Sequence, residues 1–256
     1  MESLKNIAVI NLAVNLPGPW AAAKLASMGA RVISIEPPTG DPLQYLAPEW
    51  YRDLGEGVEK RTLDLKTAAD QAALAGLLDD AQLLITSHRP SALARMGVAV
   101  PDSVGHVEIV GDVENPEYAG HDLTYQAEAG TLTPPHMPKI LVGDIMGASE
   151  AVSAALLLLL QGGGHMRIGL KQAAQEMAAP YRYGVTAPGG LLNGGIENYG
   201  LYQAKDGWVA VAALEPHFAE RMGNMLAEIP SKTVEELVAW AREADVPISP
   251  VRGTSF

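Results

Sequence analysis

The sequence contains no cysteine among its 256 residues, and this absence excludes several kinds of chemistry. Without cysteine there is no disulfide, no thiolate nucleophile and no thiolate ligand for a metal ion. Basic residues are also scarce, since 18 lysines and arginines stand against 30 acidic residues and the net charge is -12. Proteins that bind a phosphate backbone need clustered cations, so we expect no nucleic-acid partner.

Long apolar runs are missing as well. The most apolar run, residues 151–160, has ten residues and follows Glu150, whereas a helix that spans a membrane needs about 20. The first five residues do not have the pattern of a secretory signal. We therefore expect a cytoplasmic protein with no membrane partner, and the lack of cysteine fits a reducing compartment.

What the sequence does contain is an alternation of strand-like and helix-like segments. Residues 6–14 are almost continuously apolar, an alanine-rich helix then runs to Gly29, and residues 31–36 form a second strand. This βαβ pattern is typical of a parallel sheet with helices on its faces. The alternation continues with predicted strands at 82–86, 107–110, 139–142 and 165–170, and predicted helices at 67–81, from His121, at 145–161 and from Lys171. We predict an α/β fold with a doubly wound, mostly parallel, Rossmann-like sheet.

A second, smaller α+β domain is predicted after a glycine-dense stretch. We place the boundary so that the large domain covers residues 1–186 and the small one residues 187–256. In the small domain, Lys205-Asp206-Gly207 lies between two strand-like segments and predicts a hairpin. Thr233 followed by Glu236 predicts a helix that begins with a capping box, and a short strand is predicted at 246–251.

Two motifs that carry known chemistries are incomplete in this sequence. Glu36 ends the second strand, where an acidic residue can bind the ribose of a nicotinamide cofactor, but Pro17 and Pro19 occupy the turn in which that fold needs glycines. Ser149 resembles the nucleophile of a Gly-x-Ser-x-Gly elbow, but the last glycine is absent and the segment is helical. We expect neither nicotinamide binding nor a serine nucleophile.

Two short segments offer a histidine and a carboxylate. His121 lies in the segment 120–125, and Asp144 lies in the segment 143–147 at the start of the most apolar helix. An imidazole and a carboxyl group can exchange a proton with a substrate, and a carboxylate at a helix start can also act as a nucleophile. Asp144 is equally well placed to be a simple helix N-cap, and His121 alone would be a structural residue. The backbone N–H groups after Asp144 are candidates for binding an oxyanion.

The other histidines do not have the spacing of metal ligands, so we predict no metal site. They are His88, His106, His136, His165 and His217.

Several longer segments match the pattern of a known family. These segments are residues 16–22, 29–38, 63–66 and 89–97. Through them the chain resembles the class III CoA-transferase superfamily, which is also called the carnitine dehydratase or bile-acid-inducible protein F family. Residues 120–125, 143–144 and 213–218 are most similar to its α-methylacyl-CoA racemases. The chain is an unusually short form by comparison, both in the small domain, which is truncated relative to the family, and in the loop at 131–139.

The resemblance implies an isomerase that interconverts 2-methylacyl-CoA thioesters by exchange of the α-proton through an enolate. It implies that His121 and Asp144 are the acid/base pair on opposite sides of the α-carbon and that Glu215 is an accessory acidic group. It further implies a homodimer that needs no metal, nicotinamide or flavin and no cofactor beyond the CoA moiety of the substrate. The implied CoA site, in which the cations meet the phosphates, consists of Asn15, Leu16, Lys66, Ser87, His88 and Arg95.

Two other functions stay open at this point. The first is a CoA-transferase that moves CoA between a thioester and a carboxylic acid by way of the Asp144 carboxylate. The second is a degenerate protein that binds acyl-CoA, or acts as an accessory protein, without turnover. The three share a fold and a ligand, and a fold alone does not determine a function.

Overall fold

A computed structural model of the protein describes residues 3–253. The chain divides into two compact units between Ala178 and Ala179. The boundary predicted from the sequence, at residue 187, lies inside the second unit.

The first unit contains one sheet of six parallel strands in the order β3-β2-β1-β4-β5-β6. The predicted doubly wound α/β sheet is therefore confirmed. The strands are β1 (Ala8–Asn11), β2 (Arg31–Glu36), β3 (Val58–Thr62), β4 (Leu83–Thr86), β5 (Gly105–Val110) and β6 (Gly164–Gly169). The order of the strands reverses between β1 and β4, and in such sheets ligands bind in the crevice at the carboxyl ends of the two strands.

Helices cover both faces of this sheet and bury its central strands. They are α1 (Pro17–Ser27), α2 (Leu43–Leu46), α3 (Pro48–Leu54), α4 (Ala68–Asp79), α5 (Pro90–Arg95), α6 (Asp122–Ala129), α7 (Val142–Gln161) and α8 (Leu170–Met177). On one face, Ala151 and Leu158 of α7 pack with Val107 of β5. On the other face, Leu74 of α4 packs with Ile10 of β1. Strands covered on both sides read as continuous apolar runs, which is why the sequence reveals them.

Helix α7 is long and apolar enough to cross a membrane, by length and composition alone. Its residues Ala148, Ala151, Ala155 and Leu158 are buried within the first unit. The small side chains let α7 approach the sheet closely, so the helix has the character of a core helix.

The structure differs from the sequence prediction at two strands of the first unit. The strand predicted at 139–142 is wrong, because α7 begins at Val142 and residues 139–141 belong to no strand. The carbonyl of Ile140 there accepts a hydrogen bond from the Gln126 side chain (2.8 Å) instead of from a neighbouring strand. Strand β3 was not predicted, because its sequence is largely charged and it pairs with β2 at the edge of the sheet. Charged edge strands are common, because they discourage pairing with other chains.

The second unit consists of a three-stranded antiparallel sheet and short helices. Its elements are α9 (Ala179–Arg182), β7 (Tyr199–Gln203), β8 (Trp208–Ala212), α10 (Pro216–Met222), α11 (Met225–Glu228), a 3-10 turn (Ile229–Ser231), α12 (Val234–Ala244) and β9 (Ile248–Pro250). The predicted β7–β8 hairpin is confirmed, and β9 pairs with β8. The predicted capping box is also confirmed, since Thr233 Oγ1 accepts from the N–H of Glu236 and the Glu236 carboxylate accepts from the N–H of Thr233.

Candidate active site

The first unit contains a cleft of about 440 Å³ at the carboxyl ends of β1, β4 and β5. Asn15 follows β1, Ser87 follows β4 and Gly111 follows β5, and all three residues line the cleft. This is the point at which the strand order reverses. The fold therefore places the cleft where a doubly wound sheet usually binds its ligand.

Asp144 lies in the wall of this cleft, in the first turn of α7. The N-cap residue of α7 is Leu141, so the reading of Asp144 as an N-cap is wrong. The capping acceptor comes from another helix, because Asp122 Oδ1 accepts from the N–H of Gly143 (2.7 Å) and from the N–H of Asp144 (3.1 Å). The carboxyl group of Asp144 makes no hydrogen bond or ion pair with any residue in the range 3–253. It is thus free for chemistry in the cleft.

The surroundings of Asp144 favour its protonated form. Burial in the cleft wall, and secondly the negative charge of Asp122, raise the pKa of Asp144 to about 7. A desolvated carboxyl group beside a second carboxylate gains protons more readily, because both effects penalise the anion. Near neutral pH the two forms of Asp144 are both populated, so the group can accept a proton or donate one.

His121 lines the same cleft, from the start of α6. Its backbone is extended, and its N–H donates to Thr124 Oγ1 (3.1 Å), which fixes the entry into the helix. The next residue in the chain is Asp122, the side chain that caps α7. The sequence pair His121-Asp122 therefore places an imidazole in the cleft and at the same time holds the start of the helix that carries Asp144.

The start of α7 does not supply the oxyanion donors expected from the sequence. The N–H groups of Gly143 and Asp144 donate to Asp122, and the N–H of Ile145 donates to the carbonyl of Leu141 (3.1 Å). These three donors are occupied within the protein. The expectation that they bind an oxyanion is wrong. The reason is that Asp122, from another helix, caps the start of α7, a contact that the sequence does not reveal.

The six residues expected at a CoA site lie on two cavities that share one wall. Four of them line the active cleft, namely Asn15, Leu16, Ser87 and His88. Lys66 and Arg95 line a second cavity of about 500 Å³, and His88 lines this cavity too. The structure thus places Lys66 and Arg95 on one cavity and Asp144 on the other, where Arg89 is also a lining residue, and His88 lines both.

Burial lowers the pKa of His88, and its Nδ1 atom is buried without a hydrogen-bond partner. Among residues 3–253, no group of three or more His, Asp or Glu side chains is arranged to hold a metal ion. Glu215 belongs to the second unit, where it is the N-cap residue of α10. Its accessory role stays a prediction.

Asp41 supports the cleft and was not identified as functional from the sequence. Its Oδ1 atom accepts from the N–H of Asn15 (3.1 Å) and from the N–H of Leu43 (2.8 Å). Asn15 has a φ of 64°, a left-handed conformation that few residues other than glycine adopt. The buried Asp41 carboxylate therefore holds a strained residue and the start of α2 against the cleft.

Asp122→Asn is expected to lower the pKa of Asp144. The substitution removes a neighbouring negative charge, and an asparagine Oδ1 directed at α7 still accepts the N–H groups of Gly143 and Asp144, while the hydrogen bond from Gln126 Nε2 to Asp122 Oδ2 is lost. Titration of the Asp144 carboxyl carbon by NMR measures the shift. Glu150→Gln is the control, because Glu150 is on the same helix but does not contribute to the Asp144 shift. An unchanged Asp144 pKa in Asp122→Asn contradicts the electrostatic coupling.

The doubly wound sheet, with an unpaired carboxyl group and an imidazole in one cleft where the strand order reverses, defines an α/β protein with an enzyme-like site. The chain belongs to CoA-transferase family III, whose family model matches residues 4–228.

Two curated relatives have different activities. The chain is 26% identical over 249 residues to the alpha-methylacyl-CoA racemase of Homo sapiens, a match that covers 85% of this chain and 63% of the relative. It is 27% identical over 182 residues to the succinyl-CoA–D-citramalate CoA-transferase of Chloroflexus aurantiacus, covering 62% of this chain and 45% of the relative. The chain thus spans less than two thirds of the length of either relative.

Solved structures agree on the fold. The protein Rv3272 from Mycobacterium tuberculosis superposes with a TM-score of 0.81 at 19% identity, over 99% of this chain and 85% of the other.

Proposed function

We propose that this chain forms the active site of a racemase or epimerase of 2-methylacyl-CoA thioesters. The observation that carries the proposal is the unpaired carboxyl group of Asp144, with both protonation states populated near neutral pH, in one cleft with His121. The similarity to the human racemase supports it.

The reaction needs two groups with opposite roles. A base removes the proton from the α-carbon of the thioester, the electron pair moves onto the thioester oxygen as an enolate, and an acid returns a proton from the opposite side. Starting from the other enantiomer, the two groups exchange roles. We assign these roles to His121 and Asp144. Glu215 is assigned as an accessory acidic group, by resemblance to the racemases.

The two cavities suit the two parts of an acyl-CoA. Lys66 and Arg95 are cations that can meet the CoA phosphates in the second cavity. The active cleft has apolar walls that include Leu16, Leu43 and Trp50. Such walls accommodate an acyl chain and keep water from the enolate.

Exchange of the α-proton with solvent tests the proposal. The protein is incubated in deuterated water with each enantiomer of a 2-methylacyl-CoA. We expect deuterium at the α-carbon together with loss of enantiomeric purity, measured by mass spectrometry and chiral chromatography. Binding of the substrate with no exchange would instead identify an acyl-CoA binding protein, and the racemase would be excluded.

A CoA-transferase is the second candidate, because Asp144 is the one carboxylate among the described residues that line the cleft. In that reaction the Asp144 carboxylate attacks the thioester carbon, an anhydride forms and CoA leaves as the thiolate. Hydroxylamine would trap such an intermediate, and mass spectrometry would find the adduct on Asp144. An active protein that yields neither adduct nor trapped product excludes this candidate.

A further inference from the structure

Tyr125 is a buried phenol in the wall of the active cleft. Its side chain is 4% exposed and lines the same cleft as His121 and Asp144. It lies in the first turn of α6, and His121 is the N-cap residue of the same helix. Its hydroxyl makes no hydrogen bond with any residue in the described part of the chain. The hydroxyl oxygen is not among the fully buried unpaired atoms, so it is open to the cleft and free to donate a hydrogen bond to a ligand there.

Two glycines make room for this phenol. A Cβ atom at position 111 would lie 2.5 Å from the Tyr125 oxygen, and one at position 120 would collide with the ring. Gly111 follows β5 and Gly120 precedes His121, so both lie on the cleft. The surrounding backbone is thus fitted to the aromatic ring, which fixes its place beside the reacting groups.

Tyr125 remains a hydrogen-bond donor at neutral pH. Burial, followed by the negative charge of Asp144, raises the pKa of Tyr125 to about 12. The site needs a donor, because an enolate carries negative charge on the thioester oxygen and the N–H groups of Gly143 and Asp144 already donate to Asp122.

We propose that Tyr125 is a catalytic residue whose hydroxyl donates a hydrogen bond to the thioester oxygen of the bound acyl-CoA. The inference rests on the proposed function in that its ligand is an acyl-CoA. No proton is transferred from Tyr125. The O–H bond stays intact, and the hydrogen bond strengthens as negative charge develops on the oxygen and weakens when the α-carbon is reprotonated.

Binding of two unreactive probes tests the contact without turnover. Pivaloyl-CoA has the thioester oxygen but no α-hydrogen, and its thioether analogue, neopentyl-CoA, lacks the oxygen. Calorimetry measures both affinities in the wild type and in Tyr125→Phe. We expect the variant to bind pivaloyl-CoA about 3- to 10-fold more weakly and to bind the thioether within about 2-fold of the wild type, the size of one hydrogen bond. Tyr183→Phe, an exposed tyrosine, is the control.

The exchange reaction gives a second measurement. In Tyr125→Phe we expect kcat for α-proton exchange to fall about 10²-fold and KM to rise by no more than the 3- to 10-fold expected for pivaloyl-CoA, because the lost hydrogen bond is present in the ground state and is strongest in the transition state. The midpoint of unfolding should not fall, since the hydroxyl has no partner in the protein.

Three results would overturn the assignment of Tyr125. These are equal weakening of both probes, unchanged affinity together with unchanged kcat, and no binding of either probe to the wild type. The last of these also removes acyl-CoA as the ligand. By contrast, selective weakening of pivaloyl-CoA in a protein that exchanges no α-proton supports the Tyr125 contact and rejects the racemase.

Discussion

Asp144→Asn is expected to lower the rate of racemisation about 10³-fold for both enantiomers, while acyl-CoA binding stays within a few-fold of the wild type. Asparagine keeps the size of the side chain but can neither accept nor donate the α-proton, and loss of a general acid or base typically lowers a rate by about 10²- to 10⁴-fold. Chiral chromatography of the product measures the rate. Asp79→Asn is the control, because Asp79 is an exposed carboxylate on α4 outside the cleft.

Measuring α-proton exchange for each enantiomer separately shows on which side of the α-carbon Asp144 acts. In Asp144→Asn, His121 still faces one enantiomer, so that enantiomer continues to exchange its α-proton while the other does not. His121→Gln should show the opposite preference, with His136→Gln, an exposed histidine, as its control. Wild-type racemisation in Asp144→Asn contradicts the assignment. Equal loss of exchange for both enantiomers in both variants contradicts a two-sided site.

The stability of Asp144→Asn provides a check that the variant is folded. The Asp144 carboxyl group has a pKa of 3.8 in the unfolded chain and about 7 in the folded protein. Between these values the folded state binds more protons than the unfolded state, so the wild type loses stability as the pH rises from about 4 to about 7. Asparagine does not ionise. Thermal unfolding should therefore show the variant gaining stability relative to the wild type over this range, and no gain at pH 8 relative to pH 4 would contradict the raised pKa.

The core strands of the sheet could be predicted because buried strands consist mostly of apolar residues, which are visible in the sequence. Strands β1 and β4 are buried throughout and are mostly apolar, and β5 is buried throughout although it includes His106 and Glu108. Strand β3 has no apolar pattern, since it pairs with β2 through backbone hydrogen bonds and its side chains are mostly exposed. Hydrophobic patterning detects elements covered by other elements, and a charged edge strand is held by interactions that involve no side-chain pattern.

The site was only partly predictable for a related reason. His121 and Asp144 can be recognised by residue type and by their positions at the starts of helices, and the structure places both on one cleft. The role of Asp122 depends on its hydrogen bonds to Gly143 and Asp144 of another helix, which are 21 and 22 residues further along the chain. No local sequence pattern predicts such a contact, although Asp122 is adjacent to His121 in the chain. The same contact explains why the donors at the start of α7 are unavailable.

The loop between β1 and α1 supports the cleft through a close backbone approach at Gly18. This glycine is buried in the first turn of α1, and a Cβ atom there would lie less than 3.0 Å from the carbonyl oxygen, the carbonyl carbon and the Cβ of Ala13. The backbone of Ala13 cannot easily move, because its N–H donates to Asn11 Oδ1 and its carbonyl accepts from Asn11 Nδ2, both at 3.1 Å.

Gly18→Ala is therefore expected to destabilise the protein by about 2–3 kcal/mol, as overpacking against a rigid contact does. Since residues 14–17 line the cleft, the displaced loop should also weaken acyl-CoA binding. Urea denaturation measures the free energy of unfolding. A variant as stable as the wild type would show that the α1 contact is not close in solution.

Gly76→Ala is the matched control for this prediction. Gly76 lies on α4, and a Cβ atom there would have no atom within 4 Å. Alanine in that position should stabilise the helix by about 0.5–1 kcal/mol, because glycine loses more backbone entropy on folding. Both substitutions restrict the unfolded chain by a similar amount, so this contribution cancels when the two are compared. The difference between them, about 3 kcal/mol, then measures the contact between α1 and the loop that carries Asn15 and Leu16.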